Sequence, residues 1–586
     1  MKTKVIGQVA NSVSAQRLAA QIDQVLGQTK HYFGSSAAGL SQAWDECDLI
    51  ISHLATGATC RLIAGLLKDK HTDPGVVVVD EAGKFVIPLV GGHVGGANEF
   101  ARTLAEAIGA TPVVTTATDR LGSVGLDTLG WATSGDLAGV TRGMLDGDSI
   151  ELIREQPWPL PALPVNVREP GEARYEWRGT HVKELPDPGK PQFRILVSDG
   201  IQVPTDMPTV VLHPKSLVVG MGCNRGTSKA DLAKLLDKTL AKHGLAKDSV
   251  AALVTVDAKA DEVGLLELGG EFGGLVTYSA DVLASQSVPN PSNHPNRAVG
   301  TPSVAEAAVM AHGAELIVEK EKTGDATIAI GRLHPLGNLF VVGLGPGADD
   351  LLTPRARKTL TACSVVVGYR PYVAQIRSVL RAGTEVIGMG MGTEETRVKL
   401  AIDKAREGRN VAIVCSGDPS IYAMSSPTLE MGTEGIRFEA VPGVTAELAA
   451  SALLGAPLGH DHVTISLSDL HTDWQVIEKR LQAAAEGDFV VALYNPRSRK
   501  RVMHLPRALE ILGAHRPPTT PVALVQDASR QGENHRVATL ADFDPEWVDM
   551  HSIVIVGSST TTMVKTGVNA QAMVTPRDYK WMEENK

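Results

Sequence analysis

Aromatic side chains are scarce in this chain: Phe, Trp and Tyr together make up 4% of 586 residues. A core built on stacked rings is thereby excluded, and small and branched aliphatics must fill the interior. Cysteine is rarer still. Cys47, Cys60, Cys223, Cys363 and Cys415 are scattered, with no CxxC pair. That excludes a zinc ribbon or an iron–sulfur cluster and predicts no metal-ligand set. A reduced, cytoplasmic protein fits such usage better than a disulfide scaffold. No run approaches the roughly 20 apolar residues of a membrane span, and the apolar stretch near Met1 is too short for a signal-peptide core. Positive charge is not in excess either. A formal net charge of −10 argues against general nucleic-acid binding, although a local basic cluster could still hold an acidic ligand.

Glycine, by contrast, is plentiful at 58 residues, in a chain that is 43% hydrophobic and 21% charged. That mix suits a multidomain α/β protein, and the length allows about three to five domains. In residues 1–120, Asp48-Leu-Ile-Ile-Ser-His53 and Gly75-Val-Val-Val-Val-Asp80 read as buried parallel strands, and Ala97–Ala110 as a helix closing at Gly109. Residues 121–212 are rich in proline around Pro157–Pro170 and read as irregular connections around a small mixed subdomain. Residues 213–332 open on Ser216-Leu-Val-Val-Gly220. A helix near Lys229–His243 and a strand at Val250–Val256 follow. After a linker at Gly331–Gly337, a fourth unit spans 338–575.

This last unit holds a train of turn motifs. Gly343-Leu-Gly-Pro-Gly-Ala348 follows the apolar run Leu339-Phe-Val-Val342, as a strand empties into a turn that presents backbone N–H groups. Gly368-Tyr369, Gly388-Met-Gly-Met391, Ser416-Gly-Asp-Pro-Ser-Ile-Tyr422, Val441-Pro-Gly-Val-Thr445 and Leu493-Tyr-Asn-Pro-Arg497 come after it. Asp418, before Pro419, also reads as a turn cap, and Tyr369 and Tyr372 as core.

The train resembles the tetrapyrrole methylase family, whose members methylate precorrins with S-adenosylmethionine. Gly459-His-Asp-His-Val-Thr-Ile-Ser-Leu-Ser-Asp-Leu470 and Glu486-Gly-Asp-Phe-Val-Val-Ala-Leu-Tyr-Asn-Pro-Arg-Ser498 resemble its precorrin-3B C-17-methyltransferase branch. The resemblance implies two α/β subdomains with the cofactor in the cleft between them. Gly417, Asp418, Pro419, Ile421 and Tyr422 would line its site, with Pro442, Gly443, Val444 and Thr445, and with Tyr494 and Asn495. Gly343, Gly345 and Gly347 would face the tetrapyrrole. The basic run Arg497–Arg501 reads either as a solvated face or, Arg497 first, as a partner for the substrate's carboxylates. Ring contraction needs a polar group, for which Asp418, Tyr422 and Asp349 are candidates. Related methylases imply a homodimer through this unit.

Residues 1–330 resemble the cobalt-precorrin-5A hydrolase family. The strings are Leu89-Val-Gly-Gly-His-Val-Gly-Gly-Ala-Asn-Glu99, Thr115-Thr-Ala-Thr-Asp119, Val219-Gly-Met-Gly-Cys-Asn-Arg-Gly-Thr227 and Thr255-Val-Asp-Ala-Lys-Ala-Asp-Glu262. The implied reaction opens a lactone and expels a two-carbon fragment as acetaldehyde. His93, flanked by glycine pairs, is the first choice for general base, with Glu99 and Asp119 to orient it or act as acid. His93 also reads as a loop hydrogen bond, and Asp119 as a cap of the segment after Thr118. Arg225, beside the glycine turn, would hold a substrate carboxylate, and Cys223 reads as a small turn residue. The expectation is a bifunctional enzyme of cobalamin biosynthesis acting on cobalt-containing tetrapyrroles, the cobalt arriving inside the substrate. The alternative is an oxygen-route methyltransferase on metal-free precorrin-3B, with a non-catalytic tetrapyrrole-binding N-terminal half.

Overall fold

The computed structural model describes residues 4–27, 29–69, 72–92, 95–115, 125–172, 175–178, 181–186, 189–292, 301–567, 570–577 and 579. Its strands fall into successive sheets along the chain. The first has six strands in the order Lys30–Tyr32, Ile6–Val9, Leu49–Ser52, Gly75–Val79, Phe85–Val90, Thr111–Pro112. Leu49–Ser52 and Gly75–Val79 are fully buried and parallel, as their unbroken aliphatic runs require. The helix Ala97–Ile108 ends at Gly109 in the left-handed conformation. Phe85–Val90, which hydrophobic pattern alone did not single out, returns antiparallel to Gly75–Val79. Asp80 makes that turn, its carboxylate accepting from the N–H groups of Lys84 at 2.7 Å and Phe85 at 2.6 Å.

Residues 132–213 are more ordered than the prolines suggest. Five strands, Ala132–Gly135, Thr209–His213, Phe193–Val197, Ile150–Arg154 and Val167–Arg168, form one sheet over a core that includes Leu126, Ile150, Ile195 and Leu212. The strands are short and the prolines lie in the connections between them, so no local window showed the sheet. The third sheet runs Leu275–Tyr278, Val250–Val256, Leu217–Cys223, Ala326–Arg332, Glu315–Lys322. Against it packs Lys229–Lys242, capped by Ser228. The supposed linker begins later than expected, because the strand Ala326–Arg332 continues through Gly331.

The last 250 or so residues build two further five-stranded sheets. In the first, Glu385–Met389, Val365–Tyr369, Asn410–Cys415, Asn338–Gly343 and Arg437–Val441 lie in that order, all parallel. In the second, His462–Ser466 and Val490–Tyr494 are parallel, and Ser552–Val556, Pro521–Gln526 and Asn534–Thr539 continue it antiparallel. No helix among the described residues is long and apolar enough to cross a membrane.

Candidate active site

Each parallel strand of the sheet 338–441 ends in one of the motifs. Asn338–Gly343 opens into the Gly343–Gly347 turn, Asn410–Cys415 into Ser416–Tyr422, and Arg437–Val441 into Pro442–Thr445. Ligands of open parallel sheets collect at that end, outside the carboxyl ends of the strands.

The three loops meet backbone to backbone. Gly345 and Gly417 exchange hydrogen bonds, Gly417 N to Gly345 O at 2.8 Å and Gly345 N to Gly417 O at 3.2 Å. A Cβ on Gly343 would stand 2.5 Å from Gly417 O, 2.8 Å from Pro419 Cδ and 2.9 Å from Gly443 N. There is no room for side chains at this junction, which is why the motifs are glycine and proline. Asp418 tightens it further. Its carboxylate accepts from Ser420 N at 2.9 Å, from the Ser420 hydroxyl, and from Gly443 N at 3.1 Å. Burial pushes this carboxyl up, but those hydrogen bonds outweigh it and hold the group below the usual carboxylate range. Ile421 and Val444 are half-buried in these loops, while Pro442 is exposed and accepts from the Thr353 hydroxyl at 3.3 Å.

Two contacts tie this edge to the second sheet. Tyr422, held at φ 50, donates to Thr464 O at 2.9 Å and accepts from Ser466 N at 3.1 Å. Burial raises its hydroxyl pKa. Tyr494, at the end of its strand, shares a hydrogen bond with the Thr445 hydroxyl and accepts from Glu447 N at 3.0 Å. Thr445 is the N-cap of the helix Ala446–Leu454 but makes no side-chain cap bond, so the Tyr494 hydroxyl caps that helix instead. Asn495 follows at φ 48 and donates to Ser466 Oγ at 3.1 Å.

Arg497 does not join this group as the basic run suggested. Its guanidinium donates to Pro545 O at 2.8 Å and to Glu546 at 2.7 Å. The guanidinium at the glycine turn belongs to Arg530, which donates to Pro346 O at 2.6 Å and Ser416 Oγ at 3.1 Å. A Cβ on Gly347 would run into the Arg530 side chain. Arg530 sits in a turn where Asp527 and Ser529 both have positive φ, a conformation costly for residues other than glycine and concentrated at functional sites. Sequence reasoning missed it, since nothing local marks it. Glu447, buried and accepting from the Thr464 hydroxyl, was missed as well, since nothing local marks it.

In the N-terminal half, Glu99 stands exposed on the first turn of Ala97–Ile108, 3.9 Å from Arg102. His93 and Asp119 lie outside the described residues. Gly75, Gly91 and Gly95 crowd one another: a Cβ on Gly95 would meet Gly91 O at 2.8 Å and Gly75 N at 3.0 Å. Arg225 is exposed and pairs with Asp261 at 2.9 Å. Gly220 and Gly222 lie inside the strand Leu217–Cys223, and a Cβ on Gly220 would strike Ala305 O. The first of these glycines therefore serves helix packing. Cys223 is the last residue of that strand and not a turn residue; it is half-buried, and burial raises its thiol pKa, which lowers its thiolate fraction.

Residues 338–544 match the family model described as tetrapyrrole (corrin/porphyrin) methylases. Over 244 residues the chain is 46% identical to a probable cobalt-factor III C(17)-methyltransferase of Salmonella typhimurium, covering 41% of this chain and 99% of that protein. The chain belongs to the tetrapyrrole methylase family. It is an S-adenosylmethionine-dependent methyltransferase of cobalamin biosynthesis. A precorrin-3B C(17)-methyltransferase of a Sinorhizobium species is 37% identical over 249 residues, 42% of this chain and 97% of that one. A crystal structure of the methyltransferase CobJ is 39% identical, covering 41% of this chain and all of that one, with a TM-score of 0.39. Ahead of the methylase unit, residues 38–119 match a model described as cobalamin synthesis G N-terminal, and residues 217–331 one described as cobalamin synthesis G C-terminus.

Proposed function

We propose that residues 338–575 methylate C-17 of cobalt-factor III with contraction of the macrocycle. The observation that carries this reading is the meeting, at the strand ends, of the three glycine and proline loops with the Arg530 guanidinium. The junction at Gly343, Gly417 and Gly443 locks the three loops together, and beside it the ionised Asp418 and the exposed ring of Tyr422 suit a cationic cofactor. Gly417–Tyr422, Pro442–Thr445, Tyr494 and Asn495 would hold it, and when bound it supplies an electrophilic methyl group. The chain's part is alignment and exclusion of water, worth on the order of 7–11 kcal/mol at best. Asp418 and Tyr422 serve here as positioning groups: the carboxylate clamps two loops and the phenol joins two sheets. Gly343–Gly347 and Arg530 would meet the carboxylated macrocycle.

For the N-terminal half we propose lactone opening of cobalt-precorrin-5A, with release of acetaldehyde, in units 1–120, 121–212 and 213–332. The two cobalamin synthesis G matches support it. His93→Ala tests it: lost lactone opening with retained tetrapyrrole binding supports the hydrolase, and unchanged opening removes His93.

A metal-free substrate is the second reading, favoured by the likeness to the Sinorhizobium protein. Anaerobic incubation with S-adenosylmethionine and cobalt-factor III, followed by mass spectrometry, separates the two. One added methyl with lactone formation supports the cobalt substrate. Turnover of precorrin-3B alone supports the other route and leaves the hydrolase half without its substrate. A homodimer through the methylase unit is part of the proposal, and sedimentation of the full chain tests it.

A further inference from the structure

A cavity of about 690 Å³ lies between the sheet of residues 132–213 and the outer edge of the first methylase sheet. That volume falls within the range of small-molecule sites, about 300–1,000 Å³. Its two walls differ in chemistry. The first contributes mostly apolar side chains, among them Leu160, Leu163, Val165 and Leu185. Most of the cations come from the methylase wall: Arg377, Arg381, Lys404 and Arg409, joined by Arg154 from the opposite side, against the carboxylates of Glu172 and Glu385.

The ion pairs are crowded: Lys404 Nζ lies 3.5 Å from Glu407 and 3.9 Å from Glu385. Arg154 Nη2 lies 2.7 Å from Glu169 Oε1, and Arg409 Nη2 lies 3.6 Å from the same oxygen. Two guanidinium groups thus share one carboxylate. Burial draws the Arg154 guanidinium below its ordinary range; Glu169 opposes the shift and Arg409 adds to it. Arg409 Nε and Thr384 Oγ1 are buried with no hydrogen-bond partner, and a buried donor left unmade costs about 1–3 kcal/mol. An anion with several acceptors would relieve both deficits. The walls are also closely joined, since a Cβ on Gly408 would strike Pro157 O.

We infer that this cavity is a second tetrapyrrole site, which takes a macrocycle bearing several carboxylates between the hydrolase-like half and the methylase. The apolar wall suits the ring system, and the guanidinium and ammonium groups suit its acidic side chains. The choice of ligand rests on the proposed tetrapyrrole activity, while the demand for an amphiphilic anion rests on the cavity alone.

The probe is uroporphyrin III, an octacarboxylate porphyrin, titrated into the full chain by calorimetry. The double variant Arg377→Glu/Lys404→Glu reverses charge in the cavity, and Val165→Trp fills its apolar side without changing charge. The expected result is that each loses one equivalent of bound porphyrin, or weakens it at least tenfold, while methyl transfer at saturating substrate is unchanged. Equal stoichiometry and affinity in wild type and both variants would overturn the inference. Methyl transfer and S-adenosylmethionine binding are measured in the same preparations. If they are absent while the porphyrin equivalent still depends on Arg377 and Val165, the proposed function fails and the cavity site stands.

Discussion

The Arg530 side chain occupies the space that a β-carbon on Gly347 would need, although the two residues follow strands of different sheets. Glycine at 347 therefore does two jobs: it adopts φ 152 and it admits a guanidinium to the turn. Gly347→Ala is expected to push Arg530 away from Pro346 and Ser416. Methyl transfer should fall about tenfold in kcat/KM, about 1.4 kcal/mol, with S-adenosylmethionine affinity kept. Arg530→Ala should reproduce the loss. Steady-state kinetics beside calorimetry checks this, and an unaltered kcat/KM in both variants would remove Arg530 from the site.

Tyr494→Phe deletes the hydroxyl that caps Ala446–Leu454 through Glu447 N and bonds Thr445. Loss of a cap costs about 0.5–2 kcal/mol, so the urea midpoint of the methylase unit should drop accordingly. The fold is retained because the ring still packs against its neighbours. A midpoint equal to wild type would mean that Thr445 takes over the cap.

Asp199 is buried, takes both Arg332 Nε at 2.7 Å and Arg332 Nη2 at 2.8 Å, and accepts from the Ser216 hydroxyl at 2.9 Å. It joins the sheet of residues 132–213 to the third sheet. Asp199→Ala leaves a guanidinium without its carboxylate and should destabilise by about 3–5 kcal/mol. Asp199→Ala combined with Arg332→Met should recover part of that. Chemical denaturation of the single and double variants measures it, and a double variant weaker than the sum of the two singles would contradict the pairing.

His53 is 2% exposed and shares a hydrogen bond with Gln8 at 2.8 Å. Burial, and then the neighbouring charge of His31, lower its pKa to about 4 from an ordinary 6.5. Below pH 6.5 the unfolded chain takes up a proton that the folded chain refuses. The contribution is therefore whole above pH 6.5 and is lost as pH falls towards 4, by about 3 kcal/mol at most. Urea unfolding at pH 7 and pH 5 should show the drop, and His53→Gln should flatten it. A His53→Gln curve as steep as wild type would assign the acid sensitivity to other groups.

Much of the loop junction was legible because its demands are local. A loop that must approach another backbone needs glycine, and one that must turn sharply after a strand needs proline or aspartate, so Gly343–Gly347, Gly417–Pro419 and Pro442–Gly443 stand out in the chain. Aliphatic runs such as Leu49–Ser52 and Gly75–Val79 likewise declare buried parallel strands. The sheet of residues 132–213 was not legible, because its strands are short and separated by proline segments. Arg497 misled for a related reason: charge in a sequence does not say which carboxylate will claim it, and Glu546 does.

The sequence by itself determined the α/β class, the glycine and proline loops at strand ends, and the family, since each rests on residues a few positions apart. Only the tertiary structure decided which side chains those loops face. Arg530 over Gly347, Tyr422 against Thr464 and Ser466, Tyr494 as the cap of another strand's helix, and Asp199 with Arg332 all join residues distant in the chain. Such contacts follow from sheet order and packing, and no local preference encodes them.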